Sequence, residues 1–352
     1  MGLTATLALA ATVLCLSTGC SSLGYYAQAV GGHLSLMHAA RPVAAVEADP
    51  ATPPALRERL LLSQRIRDYA VSELKLPDNN SYRRYADLHR AAAVWNVVAA
   101  PELSLTLKTW CFPVMGCVGY RGYFDRAPAD RLAAQLKSEG WEVLVYGVPA
   151  YSTLGYSELL GGDPLLNTFI RWPEGELARL IFHELAHQVA YAPDDTTFNE
   201  SFAVAVERIG GARWLATRAD AAARTEYAAF DGRRQDFRGF TLRWRQRLEA
   251  LYASPLSESD KRSRKAALMV QMRADYEALK TNRWGGYAGF DRWFETANNA
   301  AFGVQAAYNE LVPEFERLYA REGSDFERFY AAVKVLADLP KAERRAKLAD
   351  PR

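Results

Sequence analysis

The stretch LIFHELAHQVAYAPDDTTFNESFAVAVE, residues 180–207, decides how this chain folds and what it can bind. Within it, His183 and His187 stand four residues apart, with Glu184 beside the first of them. Residues four apart share one face of a helix, so two imidazoles at this spacing can bind one tetrahedral Zn²⁺ while the carboxylate activates water. The pattern therefore predicts a helix that carries a site for one zinc ion, with Glu184 as the general base.

A second apolar-periodic segment offers the third ligand. Glu200 lies in NESFA, with twelve residues between it and His187. A carboxylate one helix later completes the site of the glutamate-zincin metallopeptidases, which this chain resembles. Glu207, with nineteen residues between it and His187, is the rival ligand, and its alternative role is a surface carboxylate or one that orients a ligand histidine. Asp195 has two possible roles, orienting a ligand histidine or capping the second helix.

The composition is that of an ordinary globular protein. The 352 residues suit one large or two modest domains, with 49% apolar and 24% charged residues. A net charge of +2 gives no reason to expect a nucleic-acid partner. The oligomeric state cannot be derived from these properties.

The N-terminus predicts export. Residues 1–40 contain no Lys, Arg, Asp or Glu, and the apolar run Leu3–Leu16 has the length of a signal-peptide core. The run ends in LSTGC at residues 16–20, which resembles a bacterial lipobox. We therefore expect a signal peptide over residues 1–19 and a lipid on Cys20, with a plain secretory signal as the alternative. Ser21 favours sorting to the outer membrane, so the expected location is the periplasm of a Gram-negative bacterium, anchored to that membrane.

The remaining cysteines agree with an oxidising compartment. If Cys15 leaves with the signal peptide and Cys20 carries lipid, only Cys111 and Cys117 are left. A disulfide between these two is the favoured interpretation, and a Cys-x5-Cys metal site is the alternative, without a second pair of ligands nearby.

The lipobox, the composition and the position of the zinc motif predict a lipid-anchored tether over residues 20–54, a zincin-like catalytic domain over 55–211 and a helical C-terminal lobe over 212–352. The predicted fold class is α+β, predominantly helical and zincin-like, with a small mixed sheet over the motif helix. A short helix is predicted near residues 25–37 within the tether. Further helices are predicted at residues 56–74, 81–98, 128–139, 175–190 and 199–209, and strands at 103–110, 118–124 and 141–148. Further helices are predicted over residues 237–251, 259–279, 290–308 and 326–336.

Several blocks of sequence together resemble the predicted bacterial aminopeptidase family of zinc lipoproteins. The blocks are GC (19–20), YY (25–26), LPDNNSY (76–82), WCFPVMGC (110–117), YRGYF (120–124), AYSTLG (150–155), HELAH (183–187), FNESFA (198–203), NNA (298–300) and FY (329–330). The resemblance covers nearly the full chain. It implies zinc peptidase chemistry on peptide substrates, and it favours aminopeptidase over endopeptidase activity only weakly.

The zinc peptidase mechanism requires a donor to the developing oxyanion, a role that tyrosine usually fills in this enzyme class. Tyr308 and Tyr151 are the candidates, each with ordinary packing as its alternative. The segment Tyr120–Tyr123 is expected either to line the cleft or to belong to the core. Asn298 and Asn299 are candidates for recognising a substrate α-ammonium group.

Peptide substrates often add to an exposed sheet edge, and the strand predicted at Trp141–Val148 is the candidate edge. The leading functional hypothesis is thus a zinc-dependent aminopeptidase. A zinc endopeptidase is the first alternative. A non-catalytic, lipid-anchored envelope binding protein that keeps the metal is the second, and the presence of Glu184 argues against it.

Overall fold

The computed structural model describes residues 24–112, 116–150, 161–193 and 195–350, the side chains of residues 306–308 excepted. Its helices are α1 (24–39), α2 (Val43–Ala48), α3 (Pro54–Ser72), α4 (Arg126–Ser138), α5 (Glu174–Ala186), α6 (Thr196–Thr217), α7 (Ala221–Ala253), α8 (Glu258–Trp284), α9 (Asp291–Thr296), α10 (Asn299–Asn309), α11 (Val312–Arg321), α12 (Phe326–Ala337) and α13 (Lys341–Ala349). Its strands are β1 (Arg41–Pro42), β2 (Arg84–Ala86), β3 (Val94–Pro101), β4 (Trp110–Phe112), β5 (Gly116–Val118), β6 (Arg121–Tyr123), β7 (Trp141–Val148) and β8 (Leu165–Leu166). The predicted fold class, α+β and predominantly helical, is confirmed.

Within the described ranges, three small sheets accompany the helices. The central one is antiparallel with strand order β6-β3-β7, so β7 lies at its edge. A second sheet, β1-β2-β8, is mixed, because β2 runs antiparallel to β1 and parallel to β8. The hairpin β4-β5 places Cys111 opposite Cys117, and the two form a disulfide.

The central sheet is covered by helices on both faces. Val97 and Ala99 of β3 face α4, where they join Ala129, Ala133 and Leu136. Their neighbours on β3, Val98 and Ala100, face α10 and meet Ala300 and Val304. Burial on both faces explains why β3, with the sequence VWNVVAAP, lacks the alternation of a half-exposed strand.

This double burial overturns one prediction. The helix predicted over residues 81–98 is wrong: the segment contains β2 and the first part of β3. Its alanines and continuous apolar run resemble a buried helix, and periodicity cannot separate the two. The strand predicted over 103–110 is also wrong except at Trp110, since residues 104–109 lie in no strand or helix.

Other elements agree with the sequence. The strand predicted at Trp141–Val148 is confirmed as β7, and the helices predicted over 56–74, 128–139, 175–190 and 199–209 correspond to α3, α4, α5 and α6. The predicted C-terminal helices correspond to α7, α8, α9 with α10, and α12, while α11 and α13 were not predicted. Among the described residues, no helix is long and apolar enough to cross a membrane.

The main hydrophobic core extends along most of the described chain. Its buried residues run from Leu36 and Met37 on α1 to Leu348 on α13, and α5 and α6 contribute Phe182, Phe198 and many others. Residues 24–48 lie in the predicted tether and form α1, β1 and α2, where α1 corresponds to the short helix predicted near residues 25–37, and they contribute to this core. The boundaries at residues 54 and 211 and the zincin-like character stay predictions.

The C-terminal helix α13 is joined to the start of α6 by a buried ion cluster. The carboxylate of Asp195 caps α6 by accepting a hydrogen bond from the Phe198 backbone N–H at 3.2 Å. It also accepts from Arg344 Nη1 at 3.0 Å and Arg345 Nε at 3.1 Å. Burial raises the pKa of Asp195, but the two arginines outweigh burial and hold the pKa below its ordinary value. Of the two predicted roles, the structure shows helix capping.

Asp195→Asn is expected to lower the free energy of unfolding by about 3 kcal/mol, because both guanidinium groups lose a buried counter-charge. Asp195→Ala should cost about 1 kcal/mol more, since it also removes the helix cap. The folded pKa lies below the unfolded one, so this stabilisation is complete above the unfolded pKa and is lost as pH falls through the folded pKa. Urea unfolding at neutral and acidic pH measures both effects. Equal stability of wild type and Asp195→Asn at neutral pH would contradict the assignment.

Candidate metal centre

Two histidines meet at the C-terminal end of α5. His183 lies in its last turn and His187 directly follows its last residue, so their rings stand one turn apart. The Nε2 atoms of the two rings are 3.1 Å apart, and both side chains are buried. Two buried nitrogens that point at one another indicate a shared ligand position between them.

Helix α6 brings a carboxylate to the same point. Glu200 Oε2 lies 3.4 Å from His183 Nε2 and 3.6 Å from His187 Nε2. The corners of a tetrahedron with bonds of about 2.0–2.1 Å are separated by about 3.3–3.4 Å. The three observed distances scatter around that value, so this group can hold a metal ion of tetrahedral preference.

The short spacing between His187 and Glu200 follows from the turn between the helices. The side chain of Asn199 closes that turn, because its amide accepts from the Ala192 N–H at 2.8 Å and donates to the Ala192 carbonyl at 2.9 Å. Helix α6 then runs back along α5. Successive residues of α6 meet successively earlier residues of α5, namely Glu200 with His183, Glu207 with Arg179 and Trp214 with Glu174.

Glu207 contacts the other ring nitrogen of His183. Its Oε2 lies 2.9 Å from His183 Nδ1, while its Oε1 pairs with Arg179. A proton on Nδ1 donated to this carboxylate leaves the lone pair of Nε2 directed at the shared position. In this geometry Glu207 orients a ligand histidine and Glu200 faces the ligand position.

A buried network holds Glu207 in place. Arg179, which is 2% exposed, also donates to the Tyr227 hydroxyl at 2.9 Å and lies 3.3 Å from Asp231 Oδ1. On the same face of α7, Arg234 binds both carboxylate oxygens of Glu176, at 2.8 and 2.7 Å. Helix α7 thereby holds Arg179 of α5 in place, and Arg179 in turn positions Glu207 against His183.

Electrostatics keep both carboxylates ionised. Burial raises the pKa of Glu200, but His187 and His183 outweigh burial and bring the pKa to about 2. Burial acts likewise on Glu207, and Arg179 and His183 together lower its pKa far below the ordinary value. For His183, burial disfavours the charged form, yet Glu200 and Glu207 outweigh it and raise the pKa well above its usual range. Two ionised carboxylates around these imidazoles therefore favour a positive charge at the shared ligand position.

Glu184 lies beside the ligand position with an unengaged carboxylate. In the described part of the chain no hydrogen bond or ion pair holds it. Burial raises the pKa of Glu184 above its ordinary value, against the opposing effect of the two histidines. A carboxylate that is half-buried, unpaired and close to a cation site has the properties of a general base.

A second polar network supports this side of the site. The side chain of Gln188, next to His187, donates to Ser81 Oγ at 3.1 Å and to Asp163 Oδ2 at 3.4 Å. Tyr82 is 1% exposed and adopts a φ of 65°, a conformation that costs a bulky residue strain. Burial raises the pKa of Tyr82 well above its ordinary value, and the nearby Glu184 carboxylate acts in the same direction.

Two tyrosines of the central sheet lie near Glu200. Tyr146 on β7 and Tyr120 after β5 pack on the sheet face that α10 covers, and α10 packs on α6. Burial, with a smaller contribution from Glu200, raises the pKa of Tyr146 to about 12, and the same two factors raise the pKa of Tyr120. Asn96 Nδ2 donates to the Tyr146 hydroxyl at 3.4 Å, and among the described residues no acceptor binds the phenolic proton of Tyr146.

The sequence-predicted tyrosines cannot be compared with this pair. Tyr151 and the side chain of Tyr308 lie outside the described residues. The sequence signal for Tyr146 was its position on the predicted edge strand. Its face, however, became evident only from the pairing of β7 with β3.

The two asparagines considered for amine recognition serve the fold instead. Asn298 Nδ2 donates to the Val143 carbonyl at 3.0 Å, and Asn298 Oδ1 caps α10 through the Ala301 N–H at 3.1 Å. Asn299 is fully buried, donates to the Pro101 carbonyl at 2.9 Å and accepts from the Tyr252 hydroxyl. Both amides are thus engaged with the protein and leave the interpretation of amine binding without support.

A family model described as "Putative aminopeptidase" matches residues 24–348. The chain belongs to this family. No curated protein and no solved structure matches the chain. Membership agrees with the resemblance found in the sequence and indicates a peptidase, a hydrolase that acts on peptides.

The two carboxylates of α6 are expected to differ in their effect on metal binding. Glu207→Gln should weaken Zn²⁺ affinity by about 10- to 100-fold, as removal of a partner of a ligand histidine typically does. Glu200→Gln, a matched change seven residues away on the same helix, should weaken it more, because a ligand is lost. Competition with a chromophoric chelator measures both affinities, with circular dichroism to verify folding. The reverse order would make Glu207 the ligand.

Proposed function

We propose that this protein is a zinc-dependent aminopeptidase. The observation that carries the proposal is the group formed by His183, His187 and Glu200, with the unpaired carboxylate of Glu184 beside it. Membership of the family supports peptide hydrolysis. Two imidazoles and one carboxylate are a donor set found in catalytic zinc sites, which keep a fourth position for water or substrate.

One zinc ion held by these three side chains would lower the pKa of water and polarise a peptide carbonyl. The residues of the chain would perform the proton transfers. Glu184 accepts the proton of the attacking water and passes it to the departing amine. Glu207 holds His183 in the orientation that directs Nε2 to the ion.

The free edge of β7 provides a place for the substrate backbone. Lys108 N–H donates to the Ala99 carbonyl at 2.8 Å, so the backbone polar groups of Ala99 point away from β7. Ala99 is opposite Val143, and the direction of these groups alternates along a strand. The backbone N–H and C=O groups of Val145 and Gly147 therefore point to the outer edge of β7. Asn298 already caps this edge at Val143. We propose that an extended peptide pairs with Val145 and Gly147.

The proposed cellular location follows from the N-terminal sequence. We propose that residues 1–19 are a signal peptide and that Cys20 carries the lipid that anchors the protein in the periplasm, at the outer membrane of a Gram-negative cell. The disulfide between Cys111 and Cys117 supports an oxidising compartment. The alternatives to an aminopeptidase are a zinc endopeptidase and a non-catalytic binding protein.

Glu184→Gln should abolish hydrolysis and leave zinc bound, because it removes the base and no ligand. The assay follows a peptide mixture with free and acetylated N-termini by mass spectrometry, with Glu258→Gln as a control at a 74% exposed carboxylate. Glu184-dependent, stepwise loss of N-terminal residues from free peptides only establishes the aminopeptidase. Internal cuts in both peptide sets establish an endopeptidase. No Glu184-dependent cleavage would leave the binding-protein alternative.

We propose Tyr146 as the oxyanion donor, because its hydroxyl lies near Glu200 with its proton available. Tyr146→Phe should lower kcat by about 10²- to 10³-fold, the effect of removing one such donor, with little change in KM. Tyr120→Phe is the matched control and should have a much smaller effect. A large loss in Tyr120→Phe with a normal Tyr146→Phe would transfer the role to Tyr120.

A further inference from the structure

The outer face of α1 is apolar and exposed. Tyr26, Val30 and Leu34 recur every four residues and are 40%, 57% and 52% exposed. The whole helix over residues 24–39 contains no Lys, Arg, Asp or Glu, in a chain with 24% charged residues. An uncharged stripe of this kind on a soluble surface marks a contact with a partner or a membrane.

The inner face of α1 is fixed to the body of the protein, so the outer face cannot turn inward. A Cβ on Gly32 would lie 2.1 Å from Phe124 Cγ, so only glycine permits this approach. Gln28 donates to the Gly122 carbonyl at 3.4 Å and accepts from the Phe124 N–H at 3.2 Å. Further along the helix, Leu36 and Met37 are buried in the main core.

The proposed lipid attachment site is very close to this helix. Cys20 precedes Gly24 by four residues, which span at most about 14 Å even when fully extended. The headgroup layer on each side of a bilayer is about 5–8 Å thick. A lipid on Cys20 therefore brings the start of α1 to the membrane surface, because only three residues lie between Cys20 and Gly24.

We infer that the outer face of α1, formed by Tyr26, Val30 and Leu34, lies on the surface of the lipid bilayer. The inference rests on the proposed lipidation of Cys20. An acyl anchor and an apolar helix face act together, since one buried chain alone binds weakly and reversibly. Tyr26 fits the polar-apolar boundary where tyrosine is enriched. Because α1 is fixed to the core, this contact also sets the orientation of the whole peptidase relative to the membrane.

The experiment uses the full chain, produced in a Gram-negative host and reconstituted on vesicles of phosphatidylethanolamine and phosphatidylglycerol. Val30→Cys carries an environment-sensitive fluorophore. Val335→Cys and Val270→Cys are matched controls, because these valines are 64% and 67% exposed on other helices. Mass spectrometry of the mature chain determines whether Cys20 is acylated. Lipid-borne quenchers then report which labels contact the bilayer.

The inference predicts an acylated Cys20, with a blue-shifted label at position 30 that lipid-borne quenchers reach several-fold better than the control labels. An acylated chain whose label at position 30 is as water-exposed as the controls would overturn the membrane contact and leave the anchor intact. A label at position 30 that is shielded without vesicles, increasingly at higher protein concentration, would assign this face to a second copy of the chain. An unmodified Cys20 would overturn both the anchor and the inference. None of these outcomes changes the expectation for peptide hydrolysis, which the Glu184→Gln experiment tests.

Discussion

The rest of the site depends on one interaction: helix α6 places a carboxylate on each side of the His183 imidazole. Glu207 contacts Nδ1 of His183 at 2.9 Å, and Glu200 lies 3.4 Å from its Nε2. Both contacts exist because α6 runs back along α5 directly after a tight turn. Glu200 and Glu207 are two helical turns apart on α6, so both reach His183. Two buried carboxylates this close to each other repel, so they require compensating positive charge. Arg179 supplies part of it at Glu207, and a metal ion between His183, His187 and Glu200 would supply the rest.

This requirement connects distant parts of the chain. Arg179 is held by Tyr227 and Asp231 of α7, so a helix without any ligand contributes to the order of the metal centre. At the other end of α6, Asp195 joins the turn between the ligand helices to the C-terminal helix α13 through two arginines. The central sheet packs against α10, which packs on α6, and it carries Tyr146 on that face. The candidate metal site is thereby assembled and supported by elements spread over most of the sequence.

The two helices that carry His183, His187 and Glu200 could be predicted from the sequence, because the spacing of these residues is a local property. The spacing of His183 and His187 is a property of one helix, and Glu200 follows within one short turn. Arg179 and Asp231 were not identified, since their pairing depends on how α7 crosses α5, which no periodicity encodes. The strand β3 is buried on both faces, so its sequence is a continuous apolar run that cannot be distinguished from a buried helix by periodicity. Asn298 and Asn299 were recognised as notable residues, but their partners on β3 and β7 lie far away in the sequence, so their structural role could not be derived.

X-ray absorption spectroscopy at the zinc edge, on the metal-loaded protein with the metal content measured in parallel, tests whether His183, His187 and Glu200 hold the ion. If they do, we expect one zinc ion per chain, a first shell of nitrogen and oxygen at about 2.0–2.1 Å, and scattering from two imidazoles. Coordination by sulfur, a single imidazole, or a stoichiometry far below one would contradict this expectation, because the arrangement of His183, His187 and Glu200 would then not be the metal centre of this protein.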